Sequence, residues 1–489
     1  MKKFFLAILF VGSLSGLQAQ LVLSNALQSG MVVQQNKPFK IWGRALPGVG
    51  VSVTADWTTV ATAVTGADSS FLVIIPVPLA KENDFTAHSL AVKDGSTTTT
   101  LTDLLIGDVW FCSGQSNMQF SLKEDTNSAN ELPLATYPNI RLLRADLNFS
   151  ATPIDHFKGK WETCSPATAK DFSAVGYSFG RDLYNKLHIP IGLVWSGIGA
   201  SAAQAFVPQE VLSADTMLDR VYLQPYLSGE KSKEKIDGGF SFEKVTRPFL
   251  LYNAMIHPFR NLSVKGFCWY QGESNRSERE SYTRLTRAMI EAWREKFGQG
   301  SLPFYLVQVA PYHWDSFDPE LADYAYFREA QERITELNNT GMAVTMDVGD
   351  AKDLHPKNKL PIGHRLAALA MNRTYGQLDV PAVGPAYDYL EILGKKVIVH
   401  YQKEGSDGLK TNDGKTPMFF FVAGSDQRFY PATAKIVGNT VELVSPKVTK
   451  PVAVRYAFTN FAVTNLENAA GFPAVPFRTD NFAEPVLKK

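Results

Sequence analysis

The chain has 489 residues, 45% hydrophobic, 20% charged and 12% aromatic, with 49 Lys and Arg against 48 Asp and Glu for a formal charge of +1. That length exceeds one ordinary domain and implies two or three, and the composition is that of a globular protein with ample core. The near-neutral balance, with no block of Lys or Arg and no basic helix, excludes a nucleic-acid footprint and favours a neutral or weakly charged small substrate.

In chain order, Lys2-Lys3, the apolar run Phe4–Val11 and Leu17-Gln18-Ala19 before Gln20 read as a secretory signal, residues 1–19, cleaved after Ala19. The run is too short to span a bilayer stably. No cysteine follows the cleavage region and no later segment reaches spanning length, so no membrane anchor is expected and the protein is exported, to the periplasm or beyond the cell. The odd cysteine count (Cys112, Cys164, Cys268) excludes a fully paired disulfide framework. Cys112 and Cys268 lie in apolar runs and read as core. No spacing resembles a zinc site, and no metal or cofactor is expected.

Residues 20–103 carry short alternating runs such as Val51–Thr54 and Phe71–Ile75, broken by Gly, Pro, Asn and Asp, which predict a small β sandwich. From 104 to 383 the pattern changes to alternating strands and helices. Strand-like runs fall at Asp108–Cys112, Ile189–Trp195, Val264–Tyr270, Phe304–Val309 and Met342–Met346. Between them, apolar residues recur at helical spacing: Phe179, Leu183 and Leu187; Tyr282, Leu285, Met289 and Trp293, with Gly298 beyond as a C-cap; Ala330, Ile334 and Leu337; and the stretch from Gly363 to Tyr375 before Gly376. Five apolar strands alternating with helices imply a parallel sheet covered on both faces, an α/β fold. Residues 384–489 are β-like again, with Lys396–His400 and Thr440–Val444 as clear strands.

Ligands of such sheets bind outside the carboxyl ends of the strands, which directs attention to the residues after each run. The first is followed by Gly114-Gln115-Ser116-Asn117-Met118, the second by Ser196-Gly197-Ile198-Gly199-Ala200-Ser201, the third by Gln271-Gly272-Glu273-Ser274-Asn275. The fifth is followed by Asp347, Asp350, Asp353, His355 and Pro356. Together they supply a hydroxyl, backbone donors, a side-chain amide, a carboxylate and an imidazole, the parts that acyl transfer needs. Ser116 is the candidate nucleophile and His355 the base, with His313 a rival and His257 and His364 ranked lower. Asp353, two residues before His355, or Asp350, five before, orients the ring. Trp195, Trp269, Tyr312 and Trp314 follow or end strands and are candidates to stack on a sugar; Arg276 is a candidate partner for a substrate carboxylate.

Gly114–Met118, Trp269–Asn275 and Asp353–Lys359 together resemble the sialate O-acetylesterase family, a carbohydrate acetylesterase branch of the SGNH hydrolases. The resemblance covers roughly 104–380, and Pro476–Asp480 near the end fits the bacterial secreted members. It implies a three-layer α/β/α core flanked by β-rich regions, a Ser-His-Asp triad without a metal, and an O-acetylated sugar as substrate, sialic acid or another glycan such as xylan. Carried over by position, Ser116 is the nucleophile, His355 the base and Asp353 the acid. Ser116, Gly199 and Gln271 furnish the oxyanion hole, with Asn275 as the alternative amide and Asp350 as the alternative acid. Two positions depart from the family pattern. Lys352 stands where the acid commonly lies, three residues before the histidine. The glycine-rich block reads Gly199-Ala200-Ser201, then Gln204-Ala205-Phe206, where Gly-Gly-Thr and then Glu-Ala-Trp are common.

Overall fold

The computed structural model describes residues 21–484 apart from 96 and 315–321; the expected signal segment, 1–19, lies outside the described residues. Its backbone is strand β1, Thr98–Gly114, whose 17 residues far exceed the usual five or six. The first half mixes exposed and buried positions and pairs antiparallel with His88–Lys93. The second half, from Leu104 on, is buried throughout and enters a larger sheet. The sequence switches there from Thr-rich alternation to an unbroken apolar run, as it must when a strand passes from a half-solvated sheet to one covered on both faces.

The larger sheet adds β2 (Tyr137–Arg144), β3 (Trp161–Cys164), β4 (Ile191–Trp195), β5 (Gly266–Tyr270), β6 (Phe304–Val307) and β7 (Thr340–Ala343), in the order β3-β2-β4-β1-β5-β6-β7. Every neighbouring pair is parallel except β3, which runs antiparallel to β2 at the edge. The expectation of five parallel strands therefore needs correction to a mixed sheet with β2 and β3 added. Polar residues hid β2: Arg141 lies within it, buried, and its charge is satisfied by Asp103 on β1. The last strand also sits earlier than its apolar run suggests. Val344 and Met346 leave the sheet to join the core of the C-terminal region.

Side chains alternate across the sheet. Val109, Phe111, Phe267 and Trp269 face one core, where they meet Met289, Trp293 and Phe297 of helix Glu280–Phe297. Trp110, Cys112, Leu193 and Tyr270 face the other, with Phe179 and Leu183 of helix Ala174–Leu187 and Leu366 of helix Leu360–Leu369. The last two helices pack directly on each other. All three cysteines are buried and unpaired. The expected helical stripe at Ala330–Leu337 is an α-helix only to Glu332, then a 3-10 turn.

The N-terminal region holds a three-stranded sheet (Val22–Leu23, Phe39–Arg44, Ser70–Ile75) and a second one (Gly50–Ala55, Ala61–Val64, His88–Lys93) that continues onto β1. The C-terminal region has its own core between two four-stranded antiparallel sheets, with Lys396–Tyr401 paired to Thr440–Val444. An ion pair joins it to the centre, Arg478 reaching Glu329 at 3.0 Å, while within the C-terminal region both Arg478 and Arg455 engage the buried Asp480.

At the carboxyl edge, Gly114 ends β1 opposite Tyr270, with φ +135°, and a Cβ there would lie 2.2 Å from the Tyr270 carbonyl oxygen. Only glycine allows this approach. Gly114→Ala is expected to destabilise the protein by about 2 kcal/mol or more, measured by thermal or denaturant unfolding; an unchanged midpoint would contradict the tight apposition.

Candidate active site

The tight apposition of β1 and β5 brings three loops into one cleft. Ser116 opens a single turn of helix, Ser116–Gln119, immediately after Gly114-Gln115. The loop after β7 brings His355 to it: Nε2 lies 2.9 Å from Ser116 Oγ. On the far side of the ring Nδ1 stands 3.3 Å from Asp353 Oδ1, and the same carboxylate accepts the His355 backbone N–H at 2.9 Å. The two-residue spacing from Asp353 to His355 is thus compatible with contact to the ring, because the carboxylate also fixes the backbone between them. Asp350 is elsewhere, accepting the Lys352 N–H at 2.7 Å, and Asp347 pairs with Arg365. His313 packs near Phe461, while His257 and His364 face Asp155 and Asp182.

Two nitrogens near Ser116 are potential anion donors. The Ser116 N–H has no acceptor among the described residues, as expected of a first-turn helical amide. The Gly199 N–H donates to Gln119 Oε1 at 2.7 Å, and a Cβ on Gly199 would meet that oxygen at 3.2 Å and Ser116 Cβ at 3.3 Å. Ala200 follows at φ +61°, a conformation that costs a non-glycine residue and lets the chain turn away after Gly199.

The two side-chain amides expected to assist, Gln271 and Asn275, are engaged by protein partners. Gln271 is wholly buried; its Nε2 donates to Ser201 O and Asn275 Oδ1 and its Oε1 accepts from Tyr282. Asn275 donates to Gln204 and Glu278 and accepts the Ala203 N–H. Both amides are saturated by protein partners and brace the loops after β4 and β5 from behind. Gln204 belongs to this brace, also donating to Thr246 O.

A buried network that residue-type reasoning overlooked lies under Ser116. Asn117, fully buried, donates to Glu273 Oε1 and to the Leu354 carbonyl, and accepts from Lys359 Nζ. Lys359 N–H donates to Asp125 at 2.6 Å, and its ammonium sits over the Phe120 and Tyr270 rings. Burial raises the Glu273 carboxyl above the ordinary range and pulls the Lys359 ammonium down to about 7, Glu273 and Asp125 opposing the fall. All of these residues but Asp125 lie within or beside the three quoted motifs; the available signal was a Lys and a Glu inside stretches otherwise chosen for catalysis.

The His355 imidazole is held below its ordinary value of 6.5, chiefly by burial and then by the Lys359 charge, with Asp353 pulling the other way. Asp353 stays below the usual carboxylate range: burial opposes this, but the Lys357 ammonium and the His355 N–H outweigh it. Burial and the Lys359 charge thus favour the neutral form of the ring, whose Nε2 faces Ser116 Oγ. This is the equipment of a serine nucleophile with its base.

Two cavities meet at Ser116 and His355. One, about 500 Å³, is walled by Ile198, Phe240, Phe242, Arg276 and Trp314 among others. The other, about 440 Å³, is polar, with Lys123, Glu124, Arg144 and Lys357. Of the aromatics proposed from sequence, Trp195 and Trp269 are buried and only Trp314 lines a cavity, with Tyr312 packed edge-on against it. Phe240 and Phe242, an edge-to-face pair 49% and 75% exposed, stand at the mouth instead. They lie in a loop with no periodic pattern to mark them. Among the described residues no cluster of His, Cys, Asp and Glu is arranged to hold a metal, and no helix is long and apolar enough to cross a membrane.

A family model described as carbohydrate esterase, sialic acid-specific acetylesterase, matches residues 235–372. The human sialate O-acetylesterase is 30% identical, with 89% of this chain and 88% of that protein covered; the mouse enzyme is 29% identical over 86% of each. The crystal structure of a carbohydrate acetylesterase from Xanthomonas citri superposes with a TM-score of 0.83 at 32% identity, over 95% of this chain and all of that one.

Removing the Lys359 charge should let the imidazole titrate higher. In an NMR titration, Lys359→Met is expected to move the His355 midpoint up toward 6.5 from its depressed wild-type position. No movement would mean that Lys359 is already neutral when the ring titrates.

Proposed function

The chain belongs to the sialate O-acetylesterase family and is a carboxylic ester hydrolase, and on that premise we propose that it removes acetyl groups from O-acetylated sugars through a Ser116-His355-Asp353 triad. The observation that carries this reading is the 2.9 Å contact between His355 Nε2 and Ser116 Oγ, with Asp353 behind the ring.

Ser116 Oγ attacks the acetyl carbonyl as His355 takes its proton, and Asp353 stabilises the imidazolium that results. The oxyanion is received by the Ser116 N–H and, once Gln119 swings aside, by the Gly199 N–H; each such donor is worth about 3–4 kcal/mol of barrier. His355 then protonates the departing sugar oxygen. In the second half-reaction it activates water against the acetyl-enzyme, and Ser116 recovers its proton.

The substrate we favour is an O-acetylated sialic acid, in keeping with the family name. The exposed Phe240–Phe242 pair supports a glycan approaching the cavity mouth, since aromatic faces stack on sugar rings. The helices on both faces of the sheet support an SGNH-type three-layer core at 104–383, with β regions at 20–103 and 384–489. The charged and apolar pattern of residues 1–19 supports export to the periplasm or cell exterior.

Acetate release from O-acetylated sialic acid and acetylxylan, assayed side by side, tests the proposal. Ser116→Ala should lower release on the order of 10⁴-fold or more; retention of most activity would remove Ser116 from the reaction. Asp353→Asn should cost roughly 10³–10⁴-fold and Asp350→Asn little, while the reverse order would transfer the role of the acid to Asp350. Release from xylan alone would keep the mechanism and replace sialic acid with a neutral glycan.

A further inference from the structure

Among the described residues, no carboxylate matches the charge of Arg276. This arginine follows Asn275 on the turn after β5 and lines the 500 Å³ cavity together with Ser116 and His355. Its guanidinium sits over the Trp314 ring, 3.8 Å from the centroid. Stacking occupies one face of the guanidinium and leaves its edge, with five N–H donors, open to a ligand. Three residues on, Arg279 engages Asp323 and Glu484, but among the described residues no carboxylate reaches Arg276. Among the described residues in the wall of this cavity the one carboxyl group is that of Glu273, already committed to Asn117. In the neighbouring polar cavity Lys123 pairs with Asp171 and Lys357 with Asp353, while Arg144 donates to the Asp171 backbone carbonyl.

A pre-oriented, planar cation with no counter-ion among the described residues, in a cavity that also holds Ser116 and His355, is suited to a carboxylate on the molecule being deacetylated. We infer that Arg276, held flat by Trp314, is the specificity-determining group that binds the carboxylate of an O-acetylated sugar acid while its acetyl ester lies at Ser116. This rests on the esterase reading of Ser116. It adds to that reading the residue that distinguishes an acidic sugar from a neutral one. Lysine would supply charge at this place but neither the flat stack nor the two-pronged contact.

The experiment compares acetate release from an O-acetylated sialic acid and from its carboxamide, which differ only in the charge of the carboxyl group. In the wild type the acid should be preferred in kcat/KM by roughly 10–100-fold, the range for a hydrogen bond to a charged group, expressed mainly in KM. Arg276→Gln should bring the ratio near one, and Arg276→Lys should leave part of it. The lysine variant, read with a circular-dichroism check, keeps the test decisive if the glutamine variant does not fold. Equal ratios in wild type and Arg276→Gln, or no preference in the wild type while release still requires Ser116, would overturn the role of Arg276 and leave the esterase standing. Absence of Ser116-dependent release from both compounds would overturn the esterase reading, and this inference with it.

Discussion

The cleft depends on one buried side-chain amide. Asn117 must satisfy three groups that arrive from two distant segments: the Glu273 carboxyl after β5, and the Leu354 carbonyl and Lys359 ammonium of the loop that carries His355. None of these partners can be left unpaired cheaply where water is excluded, since a buried unsatisfied polar group costs on the order of 1–3 kcal/mol and a charged one more. The loops therefore have one low-energy arrangement, and that arrangement sets the Ser116 hydroxyl against the imidazole. Ser116 and His355 themselves contribute a single hydrogen bond to this order; the position of the reactive pair is inherited from the layer beneath it.

That layer can be so demanding because the sheet above and below it is rigid. Phe111, Phe267, Trp293, Phe297 and Phe304 form a chain of edge-to-face and tilted ring contacts on one side, with centroids 5.1 to 6.1 Å apart. Trp110 stacks against Tyr305 and meets Phe179 edge-on on the other. Cores packed in this way do not deform to accommodate a misplaced loop. Adaptability is left to the rim, where Gln119 occupies an amide that an oxyanion would need and where exposed aromatic rings await a partner.

The sheet's carboxyl edge was legible in the sequence because buried parallel strands write themselves as apolar runs and the residues after them are chosen for chemistry. Ser116, His355 and Asp353 all stood out on that basis, and the structure brings them within contact of one another. Three things were less legible, each for a physical reason. The strand Tyr137–Arg144 carries a buried arginine whose partner, Asp103, lies 38 residues away, and no local pattern announces such a pairing. Gln271 and Asn275 have the right chemistry for anion binding, but which way an amide points is decided by its neighbours, here Ser201, Gln204, Glu278 and Tyr282. Phe240 and Phe242 lie in a polar loop brought to the cleft by tertiary packing alone.

Strand β1 also bears on how such a molecule can be taken apart. Because its 17 residues belong to the N-terminal sheet at one end and deliver Ser116 at the other, the position expected for a boundary, between 103 and 104, falls within continuous hydrogen-bonded backbone. Most modular proteins exchange their parts at linkers, where few contacts cross. Here the N-terminal β region cannot be lost, replaced or fused elsewhere without cutting the strand that leads to Ser116. Evolution of this architecture by shuffling must treat residues 21–119 as one heritable piece, and a fragment begun at 104 would present Ser116 after a strand stripped of its N-terminal partners.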